Sequence, residues 1–234
     1  LGGETMNEDD PWCGPPLIPG DWRDLNLAQS LEAVRLIAGC GIDMLCESDY
    51  QIHRLRALPL VCFQDSLLYE VQAWLPALSR MGLMNLIHAP MGVVLLDGAS
   101  TPFLVLEDLR DTGSRDKALQ FCDLFCSGVF QTQGRFNILR SRDSLGAFGR
   151  KLPDKLLKQI QPPAVVRNLA NDAWELTAII HYTGFFFRTR FSMQDGKGLV
   201  MQEDMQLDEK AQVLLETWHQ QFRLPETPEG ADRS

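Results

Sequence analysis

The sequence predicts an α+β fold, a mainly antiparallel sheet with two β-hairpins flanked by helices. Three observations point to it. Gly184–Met205 alternates apolar and polar residues around Asp195-Gly196, as hairpin strands do when successive side chains face opposite ways. Gly92–Leu109 places a second turn, Asp97-Gly98, between two apolar runs. Several other segments repeat apolar residues at helical spacing. Set side by side, segments 60–132 and 160–224 share the order helix, hairpin, helix, and each second strand ends in Glu-Asp (Glu107-Asp108 and Glu203-Asp204). Two α-β-β-α pseudo-repeats would explain this; so would the plain frequency of such an order.

Along the chain, residues 1–23 read as an extended arm, acidic at first and then P-W-C-G-P-P-L-I-P-G-D-W. Its prolines exclude a helix, and Trp12, Leu17, Ile18 and Trp22 are its apolar anchors. A single domain is expected over 24–224, followed by a polar tail, 225–234. Asp24 or Asn26 caps a helix to about Ala38, ended by Gly39 and Gly41. Short strands are expected at Ile42–Cys46 and Leu60–Phe63. Leu67, Leu68, Val71, Trp74 and Leu75 predict a helix from Asp65 or Ser66. Val93–Leu96 and Phe103–Leu106 are apolar throughout and predict strands covered on both faces. Gly113-Ser114 opens a helix to about Val129, a further helix is expected from Val165 to His181, and Asp208 caps a last one reaching Phe222.

In the Gly184–Met205 hairpin the expected register sets Met193 opposite Leu199, Phe191 opposite Met201 and Phe187 opposite Met205. It leaves Phe186, Arg188 and Arg190 on the outer face, with Arg188 opposite Asp204.

Composition bounds the function. With 234 residues, 45% hydrophobic and 23% charged, the chain can bury a core. No apolar run approaches the roughly 20 residues of a membrane span, and no secretory leader is visible. The six cysteines, Cys13, Cys40, Cys46, Cys62, Cys122 and Cys126, form no C-x-x-C pair. They read as buried thiols of a reducing compartment, which points to an intracellular protein, cytoplasmic or nuclear. A net charge of −9 argues against nucleic-acid binding by the whole surface, but segment 134–158 holds seven basic residues against two acidic ones.

Catalytic motifs are absent. There is no phosphate-cradling glycine loop, no G-x-S-x-G and no H-E-x-x-H, and no residue set implies a metal or a cofactor. His88 and His181 are expected to satisfy carbonyls at helix ends, and His53 near Cys46 and Asp49 is the nearest approach to a catalytic pair. The run Phe103–Leu109, F-L-V-L-E-D-L, downstream of Glu70, is similar to the hinge of aminoglycoside- and choline-kinase-like enzymes. That family's glycine-rich loop, strand lysine and His-x-Asp loop have no counterparts, so no role is carried over.

The expectation is therefore a non-enzymatic interaction protein, a subunit or adaptor that meets another protein subunit through Trp12, Leu17, Ile18, Phe186, Arg188 and Arg190. One alternative is nucleic-acid association through Arg135, Arg140, Arg142, Arg150 and Lys151, interleaved with Phe136 and Phe148. Another is an enzyme of unrecognised motif at Cys46, Asp49 and His53.

Overall fold

The computed structural model describes residues 12–39, 50–131, 134–170, 172–194, 198–207 and 213–226. In chain order the first elements are β1 (Arg23–Asp24), α1 (Leu27–Gly39), β2 (Gln51–Leu60), β3 (Ser66–Leu75), β4 (Arg80–Ala89), β5 (Gly92–Leu95), α2 (Thr101–Val105) and α3 (Arg115–Gly128). Next come β6 (Phe130–Gln131), β7 (Gly134–Arg135), β8 (Asn137–Leu139), a 3-10 segment (Arg142–Lys151) and α4 (Asp154–Leu157). The rest is strand: β9 (Ala164–Asn168), β10 (Ala173–Tyr182), β11 (Phe185–Gln194), β12 (Gly198–Gln206), β13 (Glu216–His219) and β14 (Phe222–Pro225).

The strands form two large antiparallel sheets. The first has the order β1-β2-β3-β4-β14-β13, with β5 also on β4; the second has the order β12-β11-β10-β8, with β9 also on β10. Three apolar clusters hold the layers. Cys122, Phe121 and Leu124 of α3 share one with Leu58 and Leu68 of the first sheet and Leu176 and Ile180 of the second. Ala33, Val34 and Ile37 of α1 cover the opposite face of the first sheet, over Val71, Ala73 and Leu86. Leu145, Leu156 and Leu157 cover the other face of the second sheet, over Ile179 and Phe186.

The α+β class holds, with α1, α3 and the β11–β12 hairpin where the sequence places them. Ser114 caps α3 by accepting from the Lys117 amide. Other expectations fail. The segments read as leading helices, 66–75 and 173–182, are the strands β3 and β10. Both are sheet-interior strands with apolar residues on both faces, so period 2 and period 3.6 match them equally well. Pro76 starts a 3-10 turn between β3 and β4. The Phe103–Leu106 strand is instead α2 and its exit, with Pro102 in the first turn. Phe103 and Leu106 are buried there, while Leu104 and Val105 face out, which also removes the strand context of the kinase-like hinge. The last helix is replaced by the β13–β14 hairpin, whose turn uses Gln220 at φ 52 and has no glycine to announce it. The Ile42–Cys46 strand, the Asp195-Gly196-Lys197 turn and the start of the last helix lie outside the described residues.

The β11–β12 register begins as expected, with Met193 on Leu199 and Phe191 on Met201. Past Phe191 a bulge shifts it, so Arg188 faces Met205 and Thr189 faces Asp204. No helix is long and apolar enough to cross a membrane among the described residues.

Candidate functional site

One face of the first sheet is built in two parts. Near α3 it is apolar, with Leu58, Leu60, Leu68 and Ile87. Farther along the same strands the alternation that points Leu58 and Leu68 inward also points Arg56, Glu70 and Gln72 inward. Arg56 Nε donates to Glu70 Oε1 at 2.8 Å, and Arg223 Nη2 of β14 donates to Glu70 Oε2 at 2.9 Å. Arg223 Nη1 reaches Glu216 Oε2 at 3.3 Å, and Arg135 Nε donates to Glu216 Oε1 at 2.6 Å. Arg56, Glu70, Arg223, Glu216 and Arg135 thus alternate in sign along one buried row. Burial pushes the Glu216 carboxyl upward, but the guanidinium groups of Arg135 and Arg223 outweigh it and hold the group below the ordinary carboxylate range.

Three cations against two anions leave donors in excess, and the proline-rich arm accepts from each of the three arginines. Gly14 O accepts from Arg56 Nη2 at 3.5 Å, Pro15 O from Arg223 Nη2 at 2.6 Å and Leu17 O from Arg135 Nη1 at 2.6 Å. The Cys13 amide donates to Gln72 Oε1 at 2.7 Å. An extended segment with prolines has carbonyls that no helix or ladder uses, so it suits a row of arginines. Gly14 fits because a Cβ there would collide with the Pro225 ring.

Beside the row lies a cavity of about 510 Å³, bounded by the arm, α3, β8, the 3-10 segment and residues 215, 216, 225 and 226. Asp123 on its wall pairs with Arg140. Burial pushes the Asp123 carboxyl up to about 6, against the opposing effect of Arg140.

These contacts relocate most residues named from the sequence. Leu17 and Ile18 are buried in the central cluster, where only loss of the arm would expose them. Trp12 is half-buried beneath the Arg56 guanidinium, 4.0 Å from its ring centroid. Phe186 was expected on an outer face, yet it is fully buried, because the 3-10 segment and α4 cover that side of β11. Arg188 and Arg190 are exposed, and Arg190 pairs with Glu203 across the hairpin. Of the basic strip, Arg135 belongs to the buried row and Arg140 to Asp123. Arg142 is exposed near Asp154, Arg150 is exposed, and the Lys151 side chain lies outside the described residues. The sequence reading missed Arg56, Glu70, Glu216 and Arg223. Their signal was there: single charges inside apolar runs, as in L-Y-E-V-Q-A-W and F-R-L.

The remaining candidates offer little chemistry. Burial pushes the Cys13 thiol up to about 11 and the Cys62 thiol up to about 12, so neither is a thiolate near neutrality. His181 sits within β10, not at a helix end; its Nε2 donates to Val213 O at 2.7 Å, and burial lowers its pKa. Cys46 and Asp49 lie outside the described residues, and His53 is on β2. No cluster of three or more His, Cys, Asp or Glu residues suited to a metal occurs among the described residues.

One border stays open. β12 forms the edge of the second sheet, and no strand pairs with its outer side among the described residues. From Val200 to Gln206 every side chain is exposed, Met205 at 53%. No protein-family model, curated protein or solved structure matches this chain.

Proposed function

We propose that this protein is a non-enzymatic intracellular subunit or adaptor, and that it takes up another protein subunit by strand addition along β12. The observation that supports this reading is the nine-residue β12 edge, with exposed Val200, Met201 and Met205 beside Glu203 and Asp204. Unpaired backbone groups along an edge template a further strand, and this edge runs for nine residues with three exposed large apolar side chains. The partner segment is extended and alternates apolar with basic residues, to meet the methionines and the Asp204 carboxylate. Arg188, exposed opposite Met205, lies at the rim of that contact.

The basic strip supports the nucleic-acid reading less. Arg135 and Arg140 already hold internal carboxylates, so two of the strip's seven cations are taken from phosphate.

The test is affinity purification at native expression, followed by hydrogen exchange on the purified complex. The expected result is a stoichiometric partner whose binding slows exchange of amides 198–206. Protection elsewhere with β12 unchanged, or a chain that stays alone, would overturn the reading.

A further inference from the structure

We propose that the partner strand docked on β12 carries one leucine-sized apolar side chain, and that an apolar pocket at this edge receives it and sets the partner's register. This inference rests on the strand-addition reading and adds what that reading leaves open, the feature that selects one partner from another. Main-chain hydrogen bonds along an edge accept almost any extended segment; side-chain pockets supply the choice.

The pocket has a volume of about 120 Å³. Phe125, Val129 and Phe136 line it from α3 and the segment after it, Phe191 from β11, and Leu199 and Met201 from β12. Among the described residues no charged, amide or hydroxyl side chain lines it, so a polar group entering would lose its water without finding a partner. The size suits a single group: an engineered apolar cavity of about 150 Å³ holds one benzene molecule.

The register of β11 and β12 places this pocket at the open border. Leu199 lies opposite Met193 and Met201 opposite Phe191, and both partners belong to the central cluster. Leu199 and Met201 therefore look toward α3 from the last strand of the sheet. A strand added about 4.8 Å beyond them turns every second side chain to that same face, and one of these falls beside the pocket. Phe125, Val129, Phe136 and Leu199 are only half-buried and Met201 is exposed, so the pocket is reached from solvent.

Past Phe191 the bulge ends the apolar strip on that face, where Asp204 follows opposite Thr189. β12 also carries Glu203 and has no basic residue. A second copy paired along the same edge would bring the carboxylates of both chains together, which like charges disfavour. The occupant is a segment of another protein, its apolar anchor followed on the same face by a basic residue that meets Asp204.

The test uses the whole chain and dye-labelled peptides of lysine and threonine, as long as β12, with leucine, alanine or tryptophan as the one central guest. Anisotropy titration gives their affinities, and hydrogen exchange of each complex reports on amides 198–206. The leucine peptide is expected to bind about tenfold more tightly than the alanine peptide, as burial of the longer side chain implies. The tryptophan peptide should bind more weakly than the leucine one because it overfills the space. Binding should slow exchange in β12. Met201→Trp, which narrows the pocket, should bring the leucine peptide down to the level of the alanine peptide. The peptide comparison is made on the wild-type chain, so it decides the matter even where that variant fails to fold. Equal affinity for leucine and alanine, with β12 protected, would overturn the anchor and leave strand addition standing. Selectivity for leucine with β12 exchange unchanged would also overturn it, since the side chain would then be bound away from an added strand. Binding of none of the peptides would overturn strand addition by a basic segment, and the anchor with it.

Discussion

The inner face of the first sheet and the outer strand of the second treat polar groups in opposite ways. On the inner face five charged side chains are buried, each opposite a group of complementary charge, with arm carbonyls taking the surplus donors. Along β12 the side chains stay in water, and the Arg190–Glu203 pair is exposed at both ends. The difference shows where the fold is committed and where it is available. Buried ions left without partners cost several kcal/mol each, so every member of the row depends on its neighbours. An exposed pair contributes at most about 1 kcal/mol and can be exchanged for a partner's groups.

The largest effect is expected from Glu70→Ala, which leaves Arg56 and Arg223 buried side by side without their shared carboxylate. A loss of about 3–5 kcal/mol should follow, read as the drop in urea midpoint. Arg190→Ala should barely move that midpoint. Equal losses for the two variants would erase the contrast between inner face and edge.

Next comes the arm. Ile18→Ala removes a side chain that is 1% exposed and should cost about 2–5 kcal/mol. If it costs nothing, the arm is a passenger, and the arginine row must find its acceptors elsewhere.

The sequence showed the arm and the hairpin but not the row. Helix α3 was legible because Ser114 and the Leu119, Cys122, Cys126 spacing agree with one period only. β3 and β10 were not, since strands covered on both faces lose their alternation; the β-branched and aromatic content of Thr177, Ile179, Ile180 and Tyr182 was the better guide. The members of the row stood out as single charges inside apolar runs, but their assembly into a row did not. Glu70 and Glu216 are 146 residues apart, and only the return of β14 to β4 brings Arg223 between them. The cavity likewise joins segments from both ends of the chain.

A smaller effect concerns pH. The folded chain holds the Asp123 proton up to about 6, against an ordinary value of 3.8. Between those values the native state binds more protons than the unfolded state, so this group's contribution to stability falls as pH rises. His181 has the opposite slope. Its pKa is lowered in the fold, so stability declines as pH drops below the usual histidine value and the unfolded chain takes up the proton. Asp123→Asn should remove the first slope and leave the second, measured as urea midpoint against pH. An unchanged profile would mean that Asp123 is ionised throughout and firmly held by Arg140.

The smallest effect on stability, and the sharpest on the proposed function, is expected at Met205. Without the bulge after Phe191, Met205 would lie opposite Phe187, whose face joins the central cluster. The shift puts Met205 opposite Arg188 instead, 53% exposed on the open strand. Met205→Lys therefore buries no charge and should change stability by no more than about 0.5 kcal/mol, as surface substitutions usually do. It does place a cation where a basic partner strand would dock, so binding should weaken while the melting temperature holds. Had the bulge been absent, the same substitution would approach the core face and cost stability as well. A Met205→Lys protein that loses stability but keeps its partner would reverse both halves of the argument, making β12 part of the closed structure and not its open border.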